Sequence, residues 1–110
     1  MKREQRLLDL MAELADFLDR YGEAHWAGHF RTCRERLGYL IQEDAPREEK
    51  AEAAAMIRSA YGGMGSFNDL IICRTNKHPV EESEEEAVNT ELQRLSGEVY
   101  EASWLYQERR

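Results

Sequence analysis

Cysteine and proline are both scarce in this chain, at two residues each in 110, and no apolar run approaches the ~20 residues of a membrane span. Cys33 and Cys73 are too few for a disulfide framework and too far apart for a thiol redox pair. They read as reduced, mostly packed thiols, which places the chain in a cytoplasm. The start Met1-Lys2-Arg3-Glu4 resembles the charged end of a signal peptide, but Asp9, Glu13 and Asp16 interrupt the apolar residues that follow. Basic residues are nearly missing from one region. Between positions 81 and 101 stand eight glutamates and a single arginine, Arg94, so this stretch carries the whole formal net charge of −7. Such a face repels phosphate backbones, so neither nucleic acid nor an anionic membrane is expected as a partner. It favours a basic protein partner. The plainer reading is a solvated helix start, because acidic residues suit the positive end of a helix dipole.

What the chain does have is helical periodicity over nearly its whole length. Leu7, Leu8, Met11, Leu14, Ala15, Leu18 and Tyr21 recur at three- and four-residue steps, and Leu10 and Phe17 widen the stripe. The first helix is therefore predicted over about 3–20, against two neighbours, with Gly22 as its stop. Trp26, Phe30, Cys33, Leu37, Leu40 and Ile41 define a second helix over about 24–41, antiparallel to the first. Asp44 is read as the N-cap of a third, alanine-rich helix over about 45–60, with Pro46 in its first turn. Val88, Leu92, Leu95, Val99, Ala102 and Tyr106 mark a last helix from about 80 or 81 to 107. The expected architecture is all-α: one domain over 1–110, an antiparallel bundle of four main helices with a short extra helix after a glycine-rich loop.

That loop lies in Tyr61-Gly62-Gly63-Met64-Gly65-Ser66-Phe67-Asn68-Asp69-Leu70, where three of the seven glycines occupy four positions. Clustered glycine implies backbone at positive φ or in close contact with something else. At least one of Gly62, Gly63 and Gly65 is predicted at φ > 0, with Ser66 capping the short helix after it and Asp69 completing a capping box. That short helix is read over 67–73, although the run 70–73 could also be a strand. Neither phosphate-loop glycine pattern is present, and no Lys or Arg stands between Arg58 and Arg74 to balance a phosphate. Ser66 lacks the flanking glycines of a nucleophile elbow, so a cap is the better reading. His25, His29 and Cys33 form a ladder at metal-ligand spacing, but no Glu follows His25 and further ligands would have to come from His78 or Asp69. No catalytic residue, metal or cofactor is assigned.

On the last helix Tyr100 and Trp104 fall well off the core stripe at 100° per residue, so its final turns are apolar nearly all round. They read either as interface anchors or as rings packed under the first helix. The glycine string, with Tyr21-Gly22-Glu23 and Trp26-Ala27, resembles a family of small, mostly bacterial proteins of unknown function. The resemblance implies a cytoplasmic helical domain and carries over no catalytic residues.

The functional expectation is a non-catalytic acidic binding protein, such as an immunity or antitoxin-type inhibitor of a basic partner. Tyr100 and Trp104 would anchor, and Glu81, Glu82, Glu84, Glu85 and Glu86 would steer. The alternative is a small enzyme or ligand-binding domain using a pocket around Tyr61, Ser66, Asn68 and Asp69, with Trp26 and His25 across from it. A homodimer through the last helix is compatible with both.

Overall fold

The computed structural model of the chain describes residues 2–62 and 66–107. Four helices form: α1 (Lys2–Arg20), α2 (Ala24–Gln42), α3 (Arg47–Arg58) and α4 (Glu85–Ala102). No strand occurs among the described residues. As the widened stripe of α1 predicted, this helix packs against two neighbours, α2 and α4, while α3 packs on α2. Leu7, Met11, Leu14 and Leu18 of α1 are fully buried against Phe30 and Leu37 of α2, Ile57 of α3, and Leu95 and Val99 of α4. The alanines of α3 serve close approach: Ala53 and Ala54 are buried.

Helix ends follow from backbone chemistry. Gly22 at φ +82° stops α1, with its own N–H on the Asp19 carbonyl and the Glu23 N–H on the Leu18 carbonyl at 2.8 Å. This double bond pattern closes the helix through a left-handed residue. The same pattern ends α2, and here the sequence reading needs correction. Asp44 is not the N-cap of α3. It sits at φ +54° as the left-handed residue closing α2, with its N–H on the Ile41 carbonyl and the Ala45 N–H on the Leu40 carbonyl. Pro46, extended, is the N-cap of α3.

The short helix after the glycine loop is a single 3₁₀ turn, Phe67–Asp69, and Ser66 caps it by accepting the Asn68 N–H at 3.2 Å. Residues 70–73 continue neither as helix nor as strand. Ile72 is buried while Ile71 is exposed, so sides alternate as in a strand, yet no strand lies alongside. Asn89 of α4 takes that place: its Oδ1 accepts the Ile72 N–H at 2.8 Å, and its Nδ2 donates to the Ile72 carbonyl at 2.7 Å. One amide side chain thus satisfies both polar groups of a buried residue. The predicted positive φ is not found at Gly62; Gly63 and Gly65 lie outside the described residues.

The last helix is shorter than its periodicity suggests at both ends. The acidic run opens as a 3₁₀ turn, Glu82–Glu84, before α4 begins. After Ala102 the Ser103 Oγ donates to the Tyr100 carbonyl at 2.6 Å and Arg58 takes the Ser103 carbonyl at 2.6 Å, so the chain leaves the helix in turns. Tyr106 is still buried, pinned by its hydroxyl donating to Glu4 at 2.8 Å.

Candidate functional site

Tyr61 leaves α3 and turns toward α4, where its hydroxyl donates to the Ser96 carbonyl at 2.9 Å. Burial pushes this phenol up to about 12, so it stays protonated as a donor. Its ring meets Phe67 edge-on, with centroids 5.4 Å apart, and lies tilted against Tyr100 at 5.0 Å. Asn68 ties the loop to the same residue by donating from Nδ2 to the Tyr61 carbonyl at 3.0 Å. Between these rings and α4 opens a cleft of about 410 Å³. Leu70 and Leu92 supply its aliphatic wall, and Gln93, Ser96 and Gly97 its α4 side. Apart from the two tyrosines, no ionisable side chain is among the described lining residues.

Tyr61 and Asn68, predicted from the glycine string, therefore meet Tyr100, predicted from the last helix. Two separately proposed surfaces share one cleft. Ser66 and Asp69 are not among its described lining residues; Ser66 acts as the cap of the 3₁₀ turn. Trp26 and His25 do not line it either. Trp26 packs on Phe67 at 5.4 Å from the α2 side, and exposed His25 rests against the Trp26 ring.

Beyond the cleft, Tyr100 and Trp104 are 38% and 41% exposed, so neither ring is packed under α1. Trp104 is held by Arg58, whose guanidinium lies 3.6 Å from the ring centre while Nη1 donates to the Ser103 carbonyl and hydroxyl. Burial holds Arg58 below its ordinary value, with the neighbouring Tyr100 working in the opposite direction. The rings of Tyr61, Tyr100 and Trp104 form a continuous series on the outer side of α4, at 5.0 and 6.1 Å. Sequence reasoning missed Arg58, because nothing in its neighbours marks it as the support of a ring 46 positions away.

The acidic run lies at the other end of α4. Glu81, Glu82, Glu84 and Glu86 are exposed and Glu85 is half-buried. Some of the five also serve the backbone: Glu84 accepts the Glu81 N–H at 3.3 Å in a capping box, and Glu85 accepts the Arg74 N–H at 2.8 Å. Farther along, Arg94 is bracketed by Glu91 at 2.6 Å and Glu98 at 3.0 Å, one cation between two carboxylates. Five of the eight glutamates between positions 81 and 101 thus stand within 81–86, from the turn before α4 into its first turn.

The histidine ladder is dispersed. Half-buried His29 has Nε2 at 3.6 Å from Cys33 Sγ, and burial holds its imidazole below the ordinary value. Burial pushes the Cys33 thiol up to about 11, the behaviour of an inert packed thiol. His78 is engaged elsewhere: Nδ1 accepts the Cys73 N–H at 3.0 Å and Nε2 reaches Glu23 at 2.6 Å, tying the loop to the α1–α2 turn. Among the described residues no three His, Cys, Asp or Glu side chains stand together as a metal site, and no described helix is long and apolar enough to cross a membrane.

No curated protein and no solved structure matches the chain. The model of a domain of unknown function, DUF6966, matches residues 19–81, from the end of α1 through the glycine loop to the first residue of the acidic run. With more than half of its length matched, the chain belongs to the DUF6966 family.

Proposed function

We propose that this chain is a non-catalytic binding protein for a basic protein partner, of the immunity or antitoxin kind. The observation that carries the reading is the pair of exposed rings, Tyr100 and Trp104, one of them braced by a guanidinium. Aromatic side chains held rigid before contact lose little entropy on binding and are enriched among interface hot spots. The exposed glutamates before α4 supply complementary charge, which raises association rates and sets orientation. Catalysis is disfavoured by the chemistry of the cleft: burial keeps Tyr61 protonated, and no Asp, Glu, His, Lys or Arg is among the described lining residues. Both cysteines are free thiols, which suits the reducing cytoplasm we assign to it. A homodimer using the same rings is the competing use of this surface.

The test is isothermal titration of the purified chain with a basic protein recovered from its native host. Trp104→Ala is expected to weaken binding by about thirtyfold, the equivalent of a 2 kcal/mol hot spot. Sedimentation of the free chain separates the competing use: a dimer lost in Trp104→Ala assigns the rings to self-association instead.

A further inference from the structure

Gly97 stands near the middle of the C-terminal half of α4, in ordinary helical conformation. Glycine weakens a helix interior relative to alanine, so its presence calls for a reason. Among the described residues there is none: a Cβ built at Gly97 would meet nothing within 4 Å, and its φ is not positive. Gly38 contrasts with it, since a Cβ there would touch Leu8 across the α1–α2 contact. Gly28 also faces open space, but Gly97 lines the 410 Å³ cleft. A bare helix backbone on a cleft wall admits close approach by something outside the chain.

The rest of the lining describes what would approach. Tyr61, Phe67 and Tyr100 offer ring faces and edges, and the volume lies in the range of small-molecule sites. The polar groups are amide and hydroxyl. The side chains of Gln93 and Ser96 make no hydrogen bond among the described residues. Asn68 gives its Nδ2 to Tyr61 and keeps its Oδ1 as an acceptor. Amides beside aromatic rings match the edge and faces of a heteroaromatic base, which needs both donors and acceptors. No lysine, arginine or histidine is among the described lining residues to balance a carboxylate or phosphate on the ligand.

We propose that the cleft between Tyr61, Phe67 and α4 is a binding site for a small, uncharged, planar heteroaromatic molecule that rests against Gly97. The ring lies against the tyrosines, and its polar edge meets Gln93, Ser96 and the Asn68 side-chain carbonyl oxygen. This site is separate from the protein contact at Trp104, although Tyr100 borders both.

Nicotinamide and nicotinate test the claim, since they share a ring and differ by one charge. Titration of the labelled chain followed by NMR is expected to shift the backbone amides of Tyr61, Gln93, Ser96 and Tyr100 with nicotinamide. Nicotinate should bind about tenfold or more weakly, because its carboxylate would be desolvated without a cation. Gly97→Leu should abolish the shifts by filling the cleft. Gly97→Ala should weaken binding severalfold while raising the melting temperature, a combination that a structural glycine would not give. Gln93→Leu, on an exposed position, should weaken nicotinamide binding with no loss of fold. The proposal is overturned if nicotinamide leaves those amides unmoved at millimolar concentration. Equal or tighter binding of nicotinate, or binding indifferent to Gly97→Leu, overturns it as well.

Discussion

At its first turn α4 emerges from a run of glutamates in water; at its last it ends among Tyr100, Trp104 and the Arg58 guanidinium. Glu86 and Tyr100 are about 21 Å apart along the helix at 1.5 Å per residue. That exceeds twice the Debye length of about 8 Å at physiological salt, so the two ends barely sense each other. The acidic end is built from groups that act at a distance and individually add little to stability. The aromatic end is built from groups that act only on contact and are ordered before contact is made. One helix thereby separates attraction from anchoring, and a partner using both has to span most of its length.

The sharpest way to break this contrast is to remove the brace at the aromatic end. Arg58→Ala deletes two hydrogen bonds to Ser103 and the stacking on Trp104. It is expected to lower stability by about 2–3 kcal/mol in urea unfolding, from a charge-assisted bond and a cation–π contact. A loss near zero would mean that Trp104 is not held in place.

Asn89→Ala probes the junction nearer the acidic end. It removes the amide that satisfies Ile72 and also donates to the Glu85 carbonyl at 2.8 Å. A cost of about 2 kcal/mol is expected, because a buried backbone N–H and carbonyl lose their partner. Hydrogen exchange should localise the damage to residues 70–73, leaving α1 and α2 protected.

The latch beneath the aromatic end has a pH signature. Burial works to raise Glu4, but hydrogen bonds from Tyr106 and Lys50 outweigh it and hold the carboxyl below its ordinary 4.5. That contribution is present above 4.5 and is lost as pH falls through the lowered value. Burial and the Glu4 contact raise Tyr106 above its ordinary 10, so its contribution is present below 10 and lost as pH rises through the raised value. Tyr106→Phe should lower stability by about 1 kcal/mol at neutral pH and reduce the alkaline loss to the part owed to Tyr61 and Cys33, as read by thermal melts across pH.

The smallest effect belongs to the exposed acids. Reversing Glu82 and Glu86 to Lys, which spares the backbone contacts of Glu84 and Glu85, should change stability by no more than about 0.5 kcal/mol. A larger loss would show that these charges serve the fold, and the division of labour along α4 would fall.

Periodicity made the four helices legible because each buries a stripe: Leu7 to Leu18, Phe30 to Leu37, and Leu92 to Val99 are buried as their spacing requires. The helix ends were less legible. Asp44 carries the side chain of an N-cap, yet its backbone closes the preceding helix, as its positive φ and the Ala45 to Leu40 bond show. Residues 70–73 defeated a local reading because their conformation is set by Asn89, a residue 17 positions beyond Ile72. Of the site, Tyr61, Asn68 and Tyr100 could be read from the glycine string and the helical wheel, but their meeting in one cleft could not. Gly97 could have been noticed as a glycine inside a strong helical pattern. Arg58 gave no such signal, since its role depends on where α4 ends.

The separation of steering from anchoring is tested most directly by surface plasmon resonance against the captured basic partner. Circular dichroism should first confirm that every variant is folded. Reversal of Glu82 and Glu86 should slow association and flatten its salt dependence while leaving dissociation unchanged. Trp104→Ala should speed dissociation with little change in association. Rates like the parent's for both variants, or charge reversal acting on dissociation instead, would contradict the account.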